Sequence, residues 1–175
     1  LRFIDPNSNR EGLRDTPARV VRSWNELAAG YHQNPADILA RDFGGGGYDE
    51  MIVCRNIEFS STCEHHLLPF IGVAHVGYIP RSRVVGLSKL ARLVDCYAKR
   101  LQIQEQMTQQ ILNAIKTYLQ PRGAAVVVVA KHLCMSCRGV QKQQSEMVTC
   151  ALSGAFLKSQ VRAEFMAPCK CYSNC

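Results

Sequence analysis

Four consecutive glycines at positions 44–47 divide the sequence into two parts with different hydrophobic periods. Before them, apolar residues recur at the spacing of an amphipathic helix: Val20, Val21, Trp24, Leu27 and Ala28. Thr16 and Pro17 are a typical helix start, and Gly30 is a typical end. We therefore expect residues 1–47 to form a helical arm that ends in a glycine hinge.

After the glycine run, the pattern becomes that of a sheet with two helices. Stretches rich in β-branched and aromatic residues predict four strands, at 51–59, 70–79, 124–130 and 146–156. Between the second and third strands lie two apolar stripes of helical spacing, whose phase slips near residues 100–103. The order β-β-α-α-β-β predicts an α+β domain over residues 48–160, with the helices on one face of an antiparallel sheet. The open edges of so small a sheet invite strand pairing between subunits.

Composition places the chain among globular proteins. Apolar residues make up 47% and charged residues 20%, which excludes a disordered chain, a collagen-like fibre and a coiled-coil rod. The longest apolar run, 124–130, is far shorter than the roughly 20 residues that span a bilayer. The net charge of +7 predicts an anionic partner, such as nucleic acid, a phosphorylated metabolite or a membrane surface.

The nine cysteines form an odd set in a chain with no signal-peptide pattern, which favours a reducing compartment, the cytoplasm. Because the first residue is leucine rather than methionine, we expect that an upstream segment has been removed. Residues 161–175 form a tail that carries Cys169, Cys171 and Cys175, and we expect its end to be disordered.

Cysteine and histidine are concentrated at two distant points of the chain. Cys63 and His66 lie three residues apart after a predicted strand, and Cys134 and Cys137 lie far beyond them. Thiolate and imidazole suit zinc, either as a closed four-ligand structural site or as three ligands plus a water. In the open alternative, the ion lowers the pKa of that water to roughly 7. His65 and His132, each close to a ligand, favour the open site because hydrolysis needs proton carriers.

Basic residues give a second indication. Ser88, Lys89 and Arg92 lie near one predicted helix start, where free N–H groups and the helix dipole attract phosphate. Arg138 follows Cys134 closely, and Glu105 opens the second helix of the body with a carboxylate that can accept two hydrogen bonds from a guanine edge.

Five motifs resemble those of the GTP cyclohydrolase I family. They are CEHHLLPF at 63–70, GLSKLAR at 86–92, RLQIQE at 100–105, HLCM followed by RGV within 132–140, and GLRDTPARV at 12–20. The resemblance extends over about residues 5–156 and keeps the motifs in order. It implies the tunnelling fold, in which N-terminal helices precede a four-stranded antiparallel sheet with two helices. Sheets would join edge to edge between subunits into a barrel, and two five-subunit rings would stack into a homodecamer.

The same resemblance implies the chemistry and the roles of the residues. The reaction would convert GTP and water to 7,8-dihydroneopterin triphosphate and formate, the first step of pterin and folate biosynthesis. Cys63, His66 and Cys134 would hold zinc, while Cys137 stands where the family places no ligand. His132 and His65 would transfer protons, and Ser88 would lie near the sugar. The implied substrate-binding residues are Gln104 and Glu105 for guanine and Lys89, Arg92, Arg138 and a neighbouring subunit's Arg19 for the triphosphate.

Two other functions fit parts of the sequence less well. A nitrile reductase of the 7-deazaguanine pathway has a related fold, but it needs a nucleophilic cysteine and a nicotinamide cofactor rather than a zinc site. A zinc-stapled nucleic-acid module would use the positive charge, yet the basic residues are scattered and form no dense run. We therefore expect GTP and further copies of the chain as partners, and neither nucleic acid nor membrane.

Overall fold

A computed structural model describes residues 1–169. The arm consists of a 3-10 turn at Glu11–Leu13, helix α1 (Thr16–Leu27), a second 3-10 turn at Ala29–His32 and helix α2 (Pro35–Leu39). The body begins with β1 (Asp42–Gly44), β2 (Ile52–Cys63), β3 (Pro69–Ile79), β4 (Arg83–Val85), α3 (Leu87–Ala98), β5 (Leu101–Gln102) and α4 (Gln104–Leu119). It continues with β6 (Gly123–His132), α5 (Leu133–Ser136), β7 (Met147–Gly154), a 3-10 turn at Ala155–Leu157 and α6 (Ser159–Cys169).

The main sheet has the strand order β5-β2-β3-β6-β7. Its four long strands, β2, β3, β6 and β7, are antiparallel, which confirms the predicted α+β fold. The fifth strand, β5, is only two residues long and pairs in parallel with the end of β2. It occupies the break between the two predicted helices, where the phase of the apolar stripe slips. A separate two-stranded sheet joins β1 to β4.

Helices α3 and α4 cover one face of the sheet and enclose the larger core. Leu93 of α3 and Ile111 of α4 are fully buried there, together with Val126 and Val128 of β6. The α4 helix ends in a left-handed residue, Gln120, before the turn into β6. This arrangement of two helices on one face is the one that the order of elements predicts.

A third helix covers the opposite face, which the sequence did not predict. Phe165 of α6 is fully buried with Phe156, against Ala125 and Val127 of β6. The expected boundary between body and tail at residue 161 therefore falls inside α6, because this helix is needed to cover the second face of the sheet. The expectation of a disordered end concerns residues that lie mostly beyond 169, outside those that the structure describes.

The arm is attached to the body before the glycine run begins. The N–H of Gly30 donates to the carbonyl of Lys99 over 2.9 Å, and Arg100 lies over the ring of Tyr31 at 5.6 Å from its centroid. Leu39 of α2 is buried in the main core. In contrast, α1 has no buried residue among residues 1–169, and Val20, Val21 and Leu27 are exposed. No helix within residues 1–169 is long and apolar enough to cross a membrane.

Candidate active site

The turn between β2 and β3 brings two of the predicted metal ligands together. After Cys63, at the end of β2, the chain folds back so that the N–H of Leu67 donates to the carbonyl of Cys63 over 2.8 Å. The N–H of Cys63 in turn donates to the carbonyl of Leu68 over 2.9 Å. Leu67 adopts a positive φ of 54° to close this turn. As a result, Sγ of Cys63 lies 3.7 Å from Nδ1 of His66.

The third ligand arrives from the neighbouring strand. β6 pairs with β3, and the short helix α5 that follows it carries Cys134. The ligand atoms of Cys63, His66 and Cys134 all lie within 4.8 Å of one another. Zinc–sulfur and zinc–nitrogen bonds of about 2.3 and 2.05 Å in a tetrahedron place sulfur and nitrogen about 3.5 Å apart, close to the distance between Cys63 and His66. This donor set of two thiols and an imidazole therefore fits a zinc ion.

Cys137 is not part of this cluster. Its side chain is exposed, and its thiol donates to the carbonyl of Leu133 over 2.8 Å within α5. The closed four-ligand alternative is therefore not formed in this structure. Burial raises the pKa of the Cys134 thiol above its usual value, and the neighbouring Cys63 thiol raises it further. The positive charge of Arg138 lowers this pKa in part. A bound cation would reverse the first two effects, because it favours the thiolate.

His132 ends β6 and lies between an aromatic ring and an amide. Its imidazole stacks on Phe70, with the ring centroids 4.6 Å apart and the planes inclined by 1°. Its Nε2 lies 2.8 Å from Oε1 of Gln104. Burial lowers the pKa of His132, and the negative charge of nearby Glu105 partly offsets this. The sequence motif contained Phe70, but nothing in the pattern distinguished its stacking role from that of an ordinary strand residue.

Gln104 and Glu105 are adjacent, yet they point to different environments. Gln104 is 1% exposed, and its amide nitrogen bonds to the carbonyls of Val128 and Met147 at 3.1 and 2.9 Å. Glu105 is exposed and acts on His132 through its charge. The carboxylate of Glu105 is thus accessible to a ligand, whereas the amide nitrogen of Gln104 is occupied within the chain.

The remaining predicted site residues lie at varying distances from the cluster. His65 is exposed beside it, with its ring centroid 6.1 Å from that of His66 and its Nε2 3.9 Å from the carboxylate of Glu64. Arg138 is close enough to affect the pKa of Cys134.

The other predicted phosphate-binding residues lie on other elements. Ser88 and Lys89 are in the first turn of α3 and Arg92 in its second, and no bond within residues 1–169 connects their side chains to the cluster. Arg19, on α1, pairs with Asp15 at 3.6 Å. One chain therefore brings the predicted metal ligands together, while the residues predicted to hold phosphate on α1 and α3 have no bond to them within residues 1–169.

Comparison with known proteins connects this site to a family. The family model described as GTP cyclohydrolase I matches residues 1–170. A "GTP cyclohydrolase 1" of Wolinella succinogenes is 56% identical over 165 residues, which cover 94% of this chain and 88% of the relative. Its counterpart in Methylococcus capsulatus is 52% identical over 167 residues, with coverages of 95% and 90%. That of Helicobacter pylori strain P12 is 52% identical over 164 residues, with coverages of 93% and 91%.

A solved structure shares the fold at lower similarity. The crystal structure of the archaeosine synthase QueF-Like in the apo form superposes with a TM-score of 0.50 and 21% identity, covering 60% of this chain and 94% of that one. That likeness shows the fold alone, which is the tunnelling fold. The family model and the curated relatives go further, because they match nearly the whole chain at about half of its positions. The chain belongs to the GTP cyclohydrolase I family.

Proposed function

We propose that the chain converts GTP and water to 7,8-dihydroneopterin triphosphate and formate at a zinc centre held by Cys63, His66 and Cys134. The observation that carries this proposal is the convergence of exactly those three side chains from two separate segments. When bound, zinc supplies a Lewis acid that activates water at neutral pH. With Cys137 turned away, Cys63, His66 and Cys134 would be the three protein ligands of the ion.

The histidines supply the proton transfers in this proposal. His132 donates a proton to the imidazole ring of guanine as the ring is opened, which its position beside the metal ligands supports. His65, exposed at the same site, moves protons during ring opening and the later rearrangement of the ribose. Ser88 acts at the sugar end. An imidazole suits these steps because its ordinary pKa lies near neutrality.

Substrate recognition divides between base and phosphate. Glu105 accepts hydrogen bonds from the guanine edge, and its exposure beside His132 supports this role. Gln104 is also part of the proposed guanine site. Its buried side chain contacts His132 rather than solvent. The residues proposed to hold the triphosphate are Lys89, Arg92, Arg138 and the neighbouring subunit's Arg19. Their positive charge fits the four negative charges of the nucleotide.

We also propose that the working form is a homodecamer of two stacked pentamers, with active sites between subunits. Two observations support shared sites: Arg19 and the α3 residues have no bond to the metal cluster of their own chain, and α1 leaves its apolar side chains uncovered. The outer edge of β7 would pair with a neighbouring sheet.

Metal analysis combined with a formate assay tests the proposal. The wild-type protein should contain one zinc per chain and release formate only when GTP is added. His132→Ala should keep its zinc, because the imidazole is not a ligand, while the rate of formate release falls by about 10²–10⁴. Loss of stoichiometric zinc in this variant would make His132 a ligand and contradict the assignment. A zinc-free wild-type protein with no formate release would overturn the function as a whole.

A further inference from the structure

The buried amide of Gln104 lies at the centre of a polar network beneath His132. Its nitrogen faces three acceptors: the carbonyl oxygens of Val128 and Met147 and, at 3.1 Å, the hydroxyl of Thr149. Its oxygen faces Nε2 of His132 at 2.8 Å. Gln104 is 1% exposed, so these contacts form away from bulk water. Buried polar groups of this kind hold a unique arrangement only when every hydrogen bond is satisfied.

The direction of each hydrogen bond in the network is fixed by its neighbours. The Thr108 hydroxyl donates to the backbone carbonyl of Gln104 over 2.7 Å, because a carbonyl can only accept. Thr108 and Thr149 share a hydrogen bond of 2.6 Å, and since the proton of Thr108 is already used, Thr149 is its donor. The oxygen of Thr149 is then left to share one of the two amide protons of Gln104 with a carbonyl. Two backbone carbonyls and a hydroxyl thus orient the nitrogen of Gln104 inward.

This orientation determines which nitrogen of His132 carries a proton. With its nitrogen turned inward, Gln104 presents its oxygen to the imidazole, and that oxygen can only accept. Nε2 of His132 must therefore be protonated to make the 2.8 Å contact. The stacked ring of Phe70 fixes the plane of the imidazole at the same time. The other ring nitrogen, Nδ1, is left to exchange a proton with a ligand.

We propose that Gln104 is a positioning residue that holds His132 in its Nε2–H tautomer, so that Nδ1 is the nitrogen that exchanges protons with GTP. This rests on the proposed role of His132. During catalysis, the protonated imidazole gives its Nδ1 proton to the imidazole ring of guanine and keeps the electron pair of that bond on Nδ1. The other proton stays on Nε2, which continues to donate to the oxygen of Gln104. The neutral imidazole is then in the tautomer that Gln104 stabilises, and it recovers its lost proton from water.

Nitrogen NMR of the zinc-loaded protein tests the tautomer directly. Magic-angle-spinning spectra of protein with ¹⁵N-labelled histidine distinguish protonated from unprotonated ring nitrogens, and the chain contains only 5 histidines to assign. The signals missing from His132→Ala identify His132. In the wild type above neutral pH, we expect a protonated Nε2 and an unprotonated Nδ1. This measurement needs no variant of Gln104 and so does not depend on how such a variant folds.

A pair of matched variants then tests the role of the amide. Gln104→Met keeps the side-chain length but removes the acceptor, so His132 should become a mixture of tautomers. The turnover number should fall by about 10–100-fold, with zinc content retained. Gln102→Met is the control: Gln102 is equally buried, but its amide bonds to Tyr97 and Gln110 rather than to a histidine. It should leave the His132 signals unchanged.

Three results would overturn the proposal. The first is an unprotonated Nε2 in the wild type, and the second is an unchanged His132 tautomer in Gln104→Met. The third is a changed tautomer with wild-type turnover, which would show that the choice of nitrogen does not matter to the reaction. All three are distinct from failure of the proposed function, which is read from zinc and formate in His132→Ala.

Discussion

At the scale of single residues, the thiols of Cys134 in α5 and of Cys137 just after it illustrate how position decides chemistry. Cys134 and Cys137 lie on adjacent turns, and their spacing in sequence allows either or both to bind zinc. In the structure, only Cys134 faces Cys63 and His66, while the thiol of Cys137 is occupied by the carbonyl of Leu133. Residues three apart on a helix project only about 60° from each other, so the spacing alone does not separate the two sulfur atoms.

This difference predicts opposite outcomes for two conservative substitutions. Cys134→Ser should lose zinc and activity together, because a hydroxyl is a poor replacement for thiolate on this ion. Cys137→Ser should keep stoichiometric zinc and most of its turnover. Metal analysis and formate release measure both. Loss of zinc in Cys137→Ser would indicate a saturated four-ligand site with no position for water.

A second residue-scale prediction concerns Glu105. In Glu105→Gln, the amide presents a donor where the guanine edge also presents donors, so GTP binding should weaken by about 1–3 kcal/mol. Zinc content and assembly should not change, because the side chain is exposed and bonds to neither. Calorimetric titration with GTP provides the measurement. Glu26→Gln, which changes an exposed acid on α1, is the control. Equal affinity for GTP in the two variants would mean that Glu105 only stabilises the start of its helix.

The sequence could predict that Cys63, His66 and Cys134 form a cluster, but not the environment of Gln104. Cysteine and histidine at this spacing indicate a candidate metal site in the sequence, since few other roles require that combination. A glutamine carries no such signal, and its partners come from β6 and β7, more than 20 residues away. Which way its amide faces depends on carbonyls that only the assembled sheet brings together.

At the scale of elements, the strands and long helices followed from local patterns, whereas α6 did not. Its apolar residues form no continuous stripe, and Phe165 is its only fully buried side chain within the described residues. One signal was present: residues 124–130 are apolar throughout instead of alternating, which is typical of a strand covered on both faces. Identifying the covering helix still required the tertiary structure.

The attachment of the arm leads to an element-scale prediction. A Cβ on Gly30 would lie 2.2 Å from the carbonyl oxygen of Cys96 and 2.7 Å from that of Lys99, both backbone atoms that cannot rotate away. Gly30→Ala should therefore lower the free energy of unfolding by about 1–3 kcal/mol and expose the arm to limited proteolysis. Gly44→Ala, with no atom within 4 Å of its Cβ, is the control. Equal unfolding free energies would contradict the close packing of the arm.

At the scale of the whole molecule, α1 is a helix whose apolar side chains are not buried by any other described element. Val21 is 68% exposed and Val20 is 48% exposed, on a helix that has no buried residue in the part of the chain that the structure describes. An amphipathic helix usually buries its apolar face against another element. A neighbouring subunit is the proposed cover, and the same contact would deliver Arg19 to a partner's site.

Native mass spectrometry tests this contact. Ten chains of 19.5 kDa should give a particle of about 195 kDa, and Val21→Glu should reduce that mass by placing a charge in the contact. Ser23→Glu, an exposed position on the same helix, should leave the mass unchanged. A wild-type particle of single-chain mass would overturn the decamer.

The pairing of Phe70 with His132 across β3 and β6 has a consequence for how the protein matures. Sheet faces alternate with every residue, so sliding β6 by one position would turn the imidazole to the opposite face and shift Cys134 by about 3.3 Å. Such a chain could bury much the same valines, yet it would not bring the three ligands into reach of one ion. Zinc uptake at the proposed site would thus discriminate between correctly and wrongly registered molecules, and the zinc content of a preparation would measure its properly folded fraction.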